Sequence, residues 1–387
     1  MPLLRFPARP STAVKTLVSE GKWEAIAEMV QGGLSPSVMA TESLSVLEAF
    51  FSHAAKGLLP NSLNQDELFE ILVCAAPRHD PSRLTPLSIA CVSGRTHWVE
   101  FLLEKGHSPH EQGDGHTVLT AVASLGLMSP FQMGRLASIS EYGWENRHLG
   151  LKQQRCLDLM LDAGADINQH SQRGATPLVL SCLAKNSLLG MFLLSRGADP
   201  NHSHEGAPQL FSLKPLEIAI VSHNETLALA LMDAGADLLS PSSVKPRRRV
   251  SLVEVAAGLG PQGVMQALEE RLGAGHPELE KGWWVALEEG NRDAIDWYIR
   301  GRIDPYKVEK GGLKTSHVLA REGHYDLLSD FFRRGLPLDQ PDHDGNTAWD
   351  VLSAYHPELY QKARSQWKGI PGNVVEASFP RPAEQQA

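Results

Sequence analysis

The sequence predicts an all-α chain, a row of stacked helix–turn–helix units joined by short hairpin-like turns. Three observations predict it. A closing motif recurs at Gly164-Ala165-Asp166, Gly197-Ala198-Asp199 and Gly235-Ala236-Asp237, the first two copies 33 residues apart. An opening motif recurs at Thr85-Pro86-Leu87, Thr176-Pro177-Leu178 and Lys214-Pro215-Leu216. Between opening and closing, two short apolar segments at helical spacing flank a turn, as around Gly94. A fixed period in the range of roughly 20–50 residues marks a repeat architecture and overrides any domain count taken from length.

The organising stretch is 174–201. It opens with a turn and Thr176-Pro177-Leu178 and closes on Gly197-Ala198-Asp199-Pro200-Asn201. Proline suits the first helical turn, where its missing N–H has no partner to lose. The threonine hydroxyl before it can satisfy one of the remaining amides. The closing glycine supplies the left-handed residue that lets the chain leave the second helix.

The other units are read against this one. The first is degenerate, with Thr12-Ala13-Val14 at its start and an apolar face of Trp23, Ile26, Met29 and Val30. Its many charged residues suit a terminal unit with one face in water. The second is weaker, with Leu44, Leu47, Phe50 and Phe51, then Leu68, Ile71, Leu72 and Val73. The third, from Thr85 to Gly106, is clear. The fourth starts at Thr117-Val118-Leu119 and carries an insertion near 126–152. The sixth starts at Lys214, and the seventh at Ser251-Leu252-Val253. The eighth starts at Trp283-Trp284 and has Arg302 in its closing-glycine slot. The ninth starts at Thr315, and the tenth, from Asp342, ends in a polar helix near Tyr360 to Arg364.

These motifs and this period resemble the ankyrin repeat. The resemblance implies an ankyrin-repeat solenoid of about ten divergent units over 11–366. The clearest repeats span 84–240, divergent repeats 250–340 and a C-terminal cap about 342–366. Residues 1–10 read as an irregular lead-in and 367–387 as a disordered tail. The resemblance further implies protein binding through a concave surface of turn tips and first helices, with no catalysis.

Carried onto this chain, the tip positions are Gln112, Asp114 and His116 in the fourth unit. They are His170, Gln172, Arg173 and Ala175 in the fifth, and His343, Asp344 and Asn346 in the tenth. Within the insertion, Phe131, Tyr142 and Trp144 sit among glycine and proline, and long loops in compact arrays tend to carry function or stay unfolded. Lys245, Arg247, Arg248 and Arg249 form a basic loop that could grip an acidic partner or phosphates, although such a run is more often a solvated turn.

Several sharper readings yield to plainer ones. His107, His110 and His116 cluster with Glu111 and Asp114, and His202 and His204 recur in a matching turn, yet the spacing is not that of a metal site. Trp283, Trp284, Trp297 and Tyr298 fall mostly in slots that are buried in stronger repeats, so core packing is expected. The four cysteines do not make a disulfide framework, and all four are expected as buried, inert thiols. No Gly-rich phosphate loop, serine nucleophile elbow or Cys/His pair outside the packing slots is present, so neither a catalytic constellation nor a cofactor is expected.

The net charge of −9 argues against nucleic acid as the main partner. No apolar run approaches membrane-spanning length. The opening Met1 to Pro7 is too short and Pro-broken for a signal peptide. A cytoplasmic chain, monomeric alone, is therefore expected, with another protein as its partner. The expected role is adaptor, or inhibitor by occlusion. The rival readings are a delivered effector acting on a host protein, an enzyme hidden in the insertion or in the divergent units, and a nucleic-acid binder through 245–249.

Overall fold

The structure, a computed structural model, describes residues 10–38, 45–55, 58–59, 64–75, 84–124, 150–202, 213–242, 250–300 and 302–367. Twenty α-helices lie within these residues and form ten consecutive pairs. The chain divides into two compact units, Met1–Ala236 and Asp237–Ala387. Each is an all-α stack of helix pairs. Among the described residues no helix is long and apolar enough to cross a membrane.

The first unit holds six pairs. They are α1 (Pro10–Ser19) with α2 (Trp23–Gln31), α3 (Val46–Ala55) with α4 (Gln65–Ala75), and α5 (Pro86–Val92) with α6 (Thr96–Glu104). Next come α7 (Val118–Ala123) with α8 (Leu151–Asp162), α9 (Pro177–Leu183) with α10 (Ser187–Ser195), and α11 (Pro215–Val221) with α12 (Glu225–Asp233). The second unit holds α13 (Leu252–Leu259) with α14 (Gln262–Leu272), and α15 (Pro277–Glu289) with α16 (Arg292–Ile299). It continues with α17 (Thr315–Glu322) and α18 (Tyr325–Arg333), then α19 (Ala348–Tyr355) and α20 (Pro357–Gln366). Among the described residues three two-residue antiparallel hairpins stand between pairs. They are β1 (Gln112–Gly113) with β2 (His116–Thr117), β3 (Pro241–Ser242) with β4 (Val250–Ser251), and β5 (Glu309–Lys310) with β6 (Leu313–Lys314).

The opening motif acts as its chemistry requires. The hydroxyls of Thr85, Thr117 and Thr176 accept from the amides of Ser88, Thr120 and Val179 at 3.1, 3.1 and 3.2 Å. Ser251 and Thr347 do the same for Glu254 and Asp350, whose carboxylates reach back to the cap amides at 2.8 and 2.7 Å. Each such box satisfies two amides that the helix leaves without partners. The eighth pair departs from the sequence reading. Its first helix begins at Pro277, six residues before Trp283. Proline at the first turn, a cap from the His276 ring at 3.3 Å and acidic Glu278 and Glu280 all favour that earlier start.

Stacking is apolar. Trp23, Phe50, Phe51, Phe69 and Trp98 form one buried aromatic core across the first three pairs, with Trp98 stacked on Phe69 at 4.6 Å. That core explains how the second pair folds despite its weak repeat signal. In the second unit Trp283, Trp284, Trp297 and Tyr298 are all buried, in agreement with their expected packing role. Gly282 lets α13 and α15 approach, since a Cβ there would lie 2.7 Å from that of Ala257. Cys91, Cys156 and Cys182 are buried, and burial pushes the Cys182 thiol up to about 12. Burial, then the neighbouring Cys156, also raises the Cys91 thiol, so both stay protonated and unreactive. Cys74 is a correction: it lies near the end of α4 on the exposed side of that helix.

Polar ties run between successive pairs. Near the start of a second helix, a side chain reaches a last-turn carbonyl of the preceding first helix. Gln153 reaches Val92 at 3.3 Å, and Asn291 reaches Ala257 and Gly260 at 3.0 and 2.8 Å. His324 reaches Glu288 at 2.9 Å, His356 reaches Arg321 at 2.8 Å, and Arg95 reaches Ala54. These carbonyls have no partner within their own helix. Gly290 and Gly323 make room for the two histidines. A Cβ at Gly290 would lie 2.6 Å from the His324 ring, and one at Gly323 would lie 2.9 Å from His356. Both glycines also have positive φ, 69° and 75°.

His324→Ala and His356→Ala are expected to destabilise the second unit by about 1 kcal/mol each. Gly290→Ala is expected to cost more than either, because strain and a clash add. Urea unfolding followed by tryptophan fluorescence measures all three.

Candidate partner-binding surface

The fourth tip is a tight hairpin. Gly113 pairs with His116, which leaves Asp114 and Gly115 as a two-residue loop with φ of 50° and 78°. Both values are positive, as the twist-matched hairpin turn requires, and Asp-Gly is a favoured pair for it. The fifth tip closes on itself. The Ser171 amide donates to the Ala175 carbonyl at 2.8 Å and the Gly174 amide to the Ser171 carbonyl at 2.9 Å. The two tips join directly: the Gln172 amide donates to the Gly115 carbonyl at 3.0 Å. The fold thus brings Gln112, Asp114, His116, Gln172 and Arg173 onto one surface.

Asp114, His170, Gln172 and Arg173 are exposed, while Gln112 and His116 are half-buried. Ala175 is a correction, since it is buried and offers no contact. Desolvation lowers the His116 pKa. Asp114 opposes that shift and Arg173 adds to it. His116 therefore sits neutral between a carboxylate and a guanidinium.

In the second unit the tenth tip closes with the Asp342 amide donating to the Asn346 carbonyl at 2.8 Å. His343 and Asp344 are exposed and Asn346 is half-buried. His343 packs on the ninth tip, where a Cβ at Gly312 would lie 2.6 Å from its own. Lys314 of that tip donates to Gln340 at 3.1 Å. Sequence reasoning did not single out the ninth tip, although Gly311-Gly312, with φ of 59° and 80°, is its hairpin signal.

Four of the first helices contribute little accessible surface. Every residue of Pro86–Val92 and Val118–Ala123 is buried, as are Pro215 to Ile220 and Thr315 to Ala320. The expected contact surface thus narrows to the tips. Phe131, Tyr142, Trp144, Lys245, Arg247, Arg248 and Arg249 lie outside the described residues.

Other grouped side chains have structural roles. The Glu111 carboxylate meets the His107 ring and the Ser108 amide, both at 3.1 Å, and so braces its own turn. Asp342, His343 and Asp344 could bring three ligand atoms within 4.8 Å of one another. Asp342, however, already accepts the amides of Asp344 and Asn346, both at 2.9 Å. Arg302, in its glycine slot, stacks 4.1 Å above the Trp297 ring and forks onto Glu269 at 2.9 and 2.5 Å. These three line a cleft of about 410 Å³ with Leu279, Glu280 and Arg300.

A family model described as ankyrin repeat matches residues 82–114, the third helix pair and the chain up to Asp114 of the fourth tip. Residues 82–114 are an ankyrin repeat, and the helix pairs on either side repeat its two-helix plan. Part of it is similar to a protein named L-asparaginase from Dirofilaria immitis, 32% identical over 146 residues. That stretch is 34% of this chain and 23% of the other, so the chain spans under a quarter of that relative's length. Among solved structures, the ankyrin repeat domain of human ASB11 is similar, at 20% identity and a TM-score of 0.45. The match covers 67% of this chain and 97% of that one.

His317 ties the ninth pair of this repeat protein to the tenth tip. Its Nε2 meets the Asn346 carbonyl at 3.0 Å, while its buried Nδ1 has no hydrogen-bond partner among the described residues. Burial lowers its pKa from the ordinary 6.5, and the Asn346 carbonyl only partly opposes that. The unfolded chain therefore takes up the proton first. Stability from this group is full above about pH 6.5 and falls as pH drops from there toward the lower folded value. His317→Gln, which keeps an N–H donor and cannot titrate, is expected to flatten the fall in Tm between neutral and mildly acidic pH.

Proposed function

We propose that this ankyrin-repeat protein is a non-enzymatic binding module that holds a partner protein through its repeat tips. It would serve as an adaptor, or as an inhibitor by occlusion. The observation that carries the reading is the joined fourth and fifth tips of the first unit. There the Gln172–Gly115 hydrogen bond fixes two exposed turns as one surface. A surface already held rigid loses little conformational freedom on association. Arg173 is its best anchor, because arginine combines a planar donor fork with an apolar stem and is enriched among residues that dominate binding.

The tips are small, hydrogen-bonded internally and exposed. Their side chains can vary without disturbing the buried helices behind them, a division that suits recognition. The −9 net charge supports a protein partner over nucleic acid. A cytoplasmic location belongs to the same reading.

The relative named L-asparaginase raises an enzymatic alternative. In the cleft of the second unit Glu269 is committed to Arg302, which favours a packing role for that pair over proton transfer. The purified chain is expected to show no L-asparaginase activity, and turnover above a heat-treated control would reverse this reading.

Affinity capture from the native cell, with identification of the co-purifying chain, tests the binding role. Arg173→Glu is expected to weaken the captured partner at least tenfold, roughly 1.4 kcal/mol or more. A tip variant that binds as tightly as the parent removes the tips from the interface.

A further inference from the structure

In four of these helix pairs the turn between first and second helix holds glycine at its left-handed residue, at Gly21, Gly94, Gly290 and Gly323. Two neighbouring turns of the first unit do not. Lys185 and His223 occupy that position with φ of 55° and 56°, and both side chains are exposed. An L-residue with a long or branched side chain pays for this conformation, and such costs are found where the side chain has a task.

The two turns adjoin. Ser187, just after the first, donates to Asn224 in the second at 2.8 Å. Large apolar side chains stand exposed beside them: Leu188 is 51% exposed and Val221 39%. Leu151, 85% exposed, opens α8 on the same edge. At the opposite ends of α8 and α10, Arg196 bridges to Asp158 at 3.3 Å and to Asp162 at 2.5 Å, which sets the two helices side by side. The edge therefore alternates exposed aliphatic groups with the basic Lys152, Lys185 and His223. Glu225 is the acidic residue beside them. Lys185 has no ion-pair partner among the described residues. A basic, apolar strip on a chain of net charge −9 is a local reversal of sign.

We propose that this turn edge is a second docking surface, separate from the tips, and that its partner is an acidic polypeptide segment carrying large apolar side chains. The inference rests on the reading of the chain as a protein-binding module. The aliphatic groups would supply the desolvated contact area. Lys185 and His223 would set sign and register, since charge complementarity favours the right partner and repels like-charged ones. The left-handed strain is then the cost of presenting two basic side chains where glycine would present none.

The test uses the full chain and three synthetic peptides: one of Glu and Asp with Leu and Phe, one with Lys replacing the acids, and one with Ser replacing Leu and Phe. Calorimetry measures affinity, and amide shifts map the site. The acidic apolar peptide is expected to bind saturably at 184–188 and 221–225, and the other two at least tenfold more weakly. The paired substitutions Lys185→Gly and His223→Gly are expected to raise Tm by roughly 2–4 °C while weakening that peptide at least tenfold. Leu188→Ser with Val221→Ser is expected to weaken it without moving Tm. No binding, equal binding of the Lys peptide, or full binding by the double-glycine variant overturns the proposal. If the captured partner is lost on Arg173→Glu while the edge binds no peptide, the edge fails and the tip reading stands.

Discussion

Apolar stacking between successive helix pairs is the constraint on which the rest depends. A first helix of six to eight residues, such as Val118–Ala123 or Thr315–Glu322, has little stability of its own. Here these helices persist because a neighbouring pair covers each of them. Val118, Leu119 and Val122 in one, and Val318 and Leu319 in the other, are removed from water almost completely. At ~25 cal/mol per Å² that burial is the main stabilising term, and it exists only between units.

Polar chemistry then fixes register. A stack held by leucines alone could slide. In five pairs the side chains that reach back to last-turn carbonyls, from Arg95 to His356, favour one alignment of the pair on the one before. The salt bridges Arg196–Asp162, Arg292–Asp330 and Arg302–Glu269 repeat this at the second helices, each spanning about one repeat period. Because covering the first helices closes them, the recognition proposed here falls to the turns. The same packing that makes the fold therefore also decides where a partner can touch it.

Much of this was legible in the sequence because the repeat writes its caps in fixed places. Thr85-Pro86, Thr176-Pro177 and the glycines after the second helices mark helix ends one by one. The tips follow from those ends, and their exposure is what turn residues between capped helices require. Less legible were features set by neighbours rather than by local chemistry. The second pair hid its core because Phe50, Phe51 and Phe69 are completed by Trp98 of the next pair. The early start of α15 rested on His276-Pro277, outside the repeat template. Closure of the first helices also follows from packing between pairs, which no single repeat displays. Asp114-Gly115 and Gly311-Gly312 were readable hairpin signals that the repeat template overshadowed.

Hydrogen exchange, with and without a bound partner, tests the central claim most directly. The account predicts that amides of α5, α7 and α9 are strongly protected in the free chain and unchanged on binding. New protection should fall on exposed turns, above all 112–116 and 170–175. First helices that exchange freely in the free chain and gain protection with the partner would contradict it.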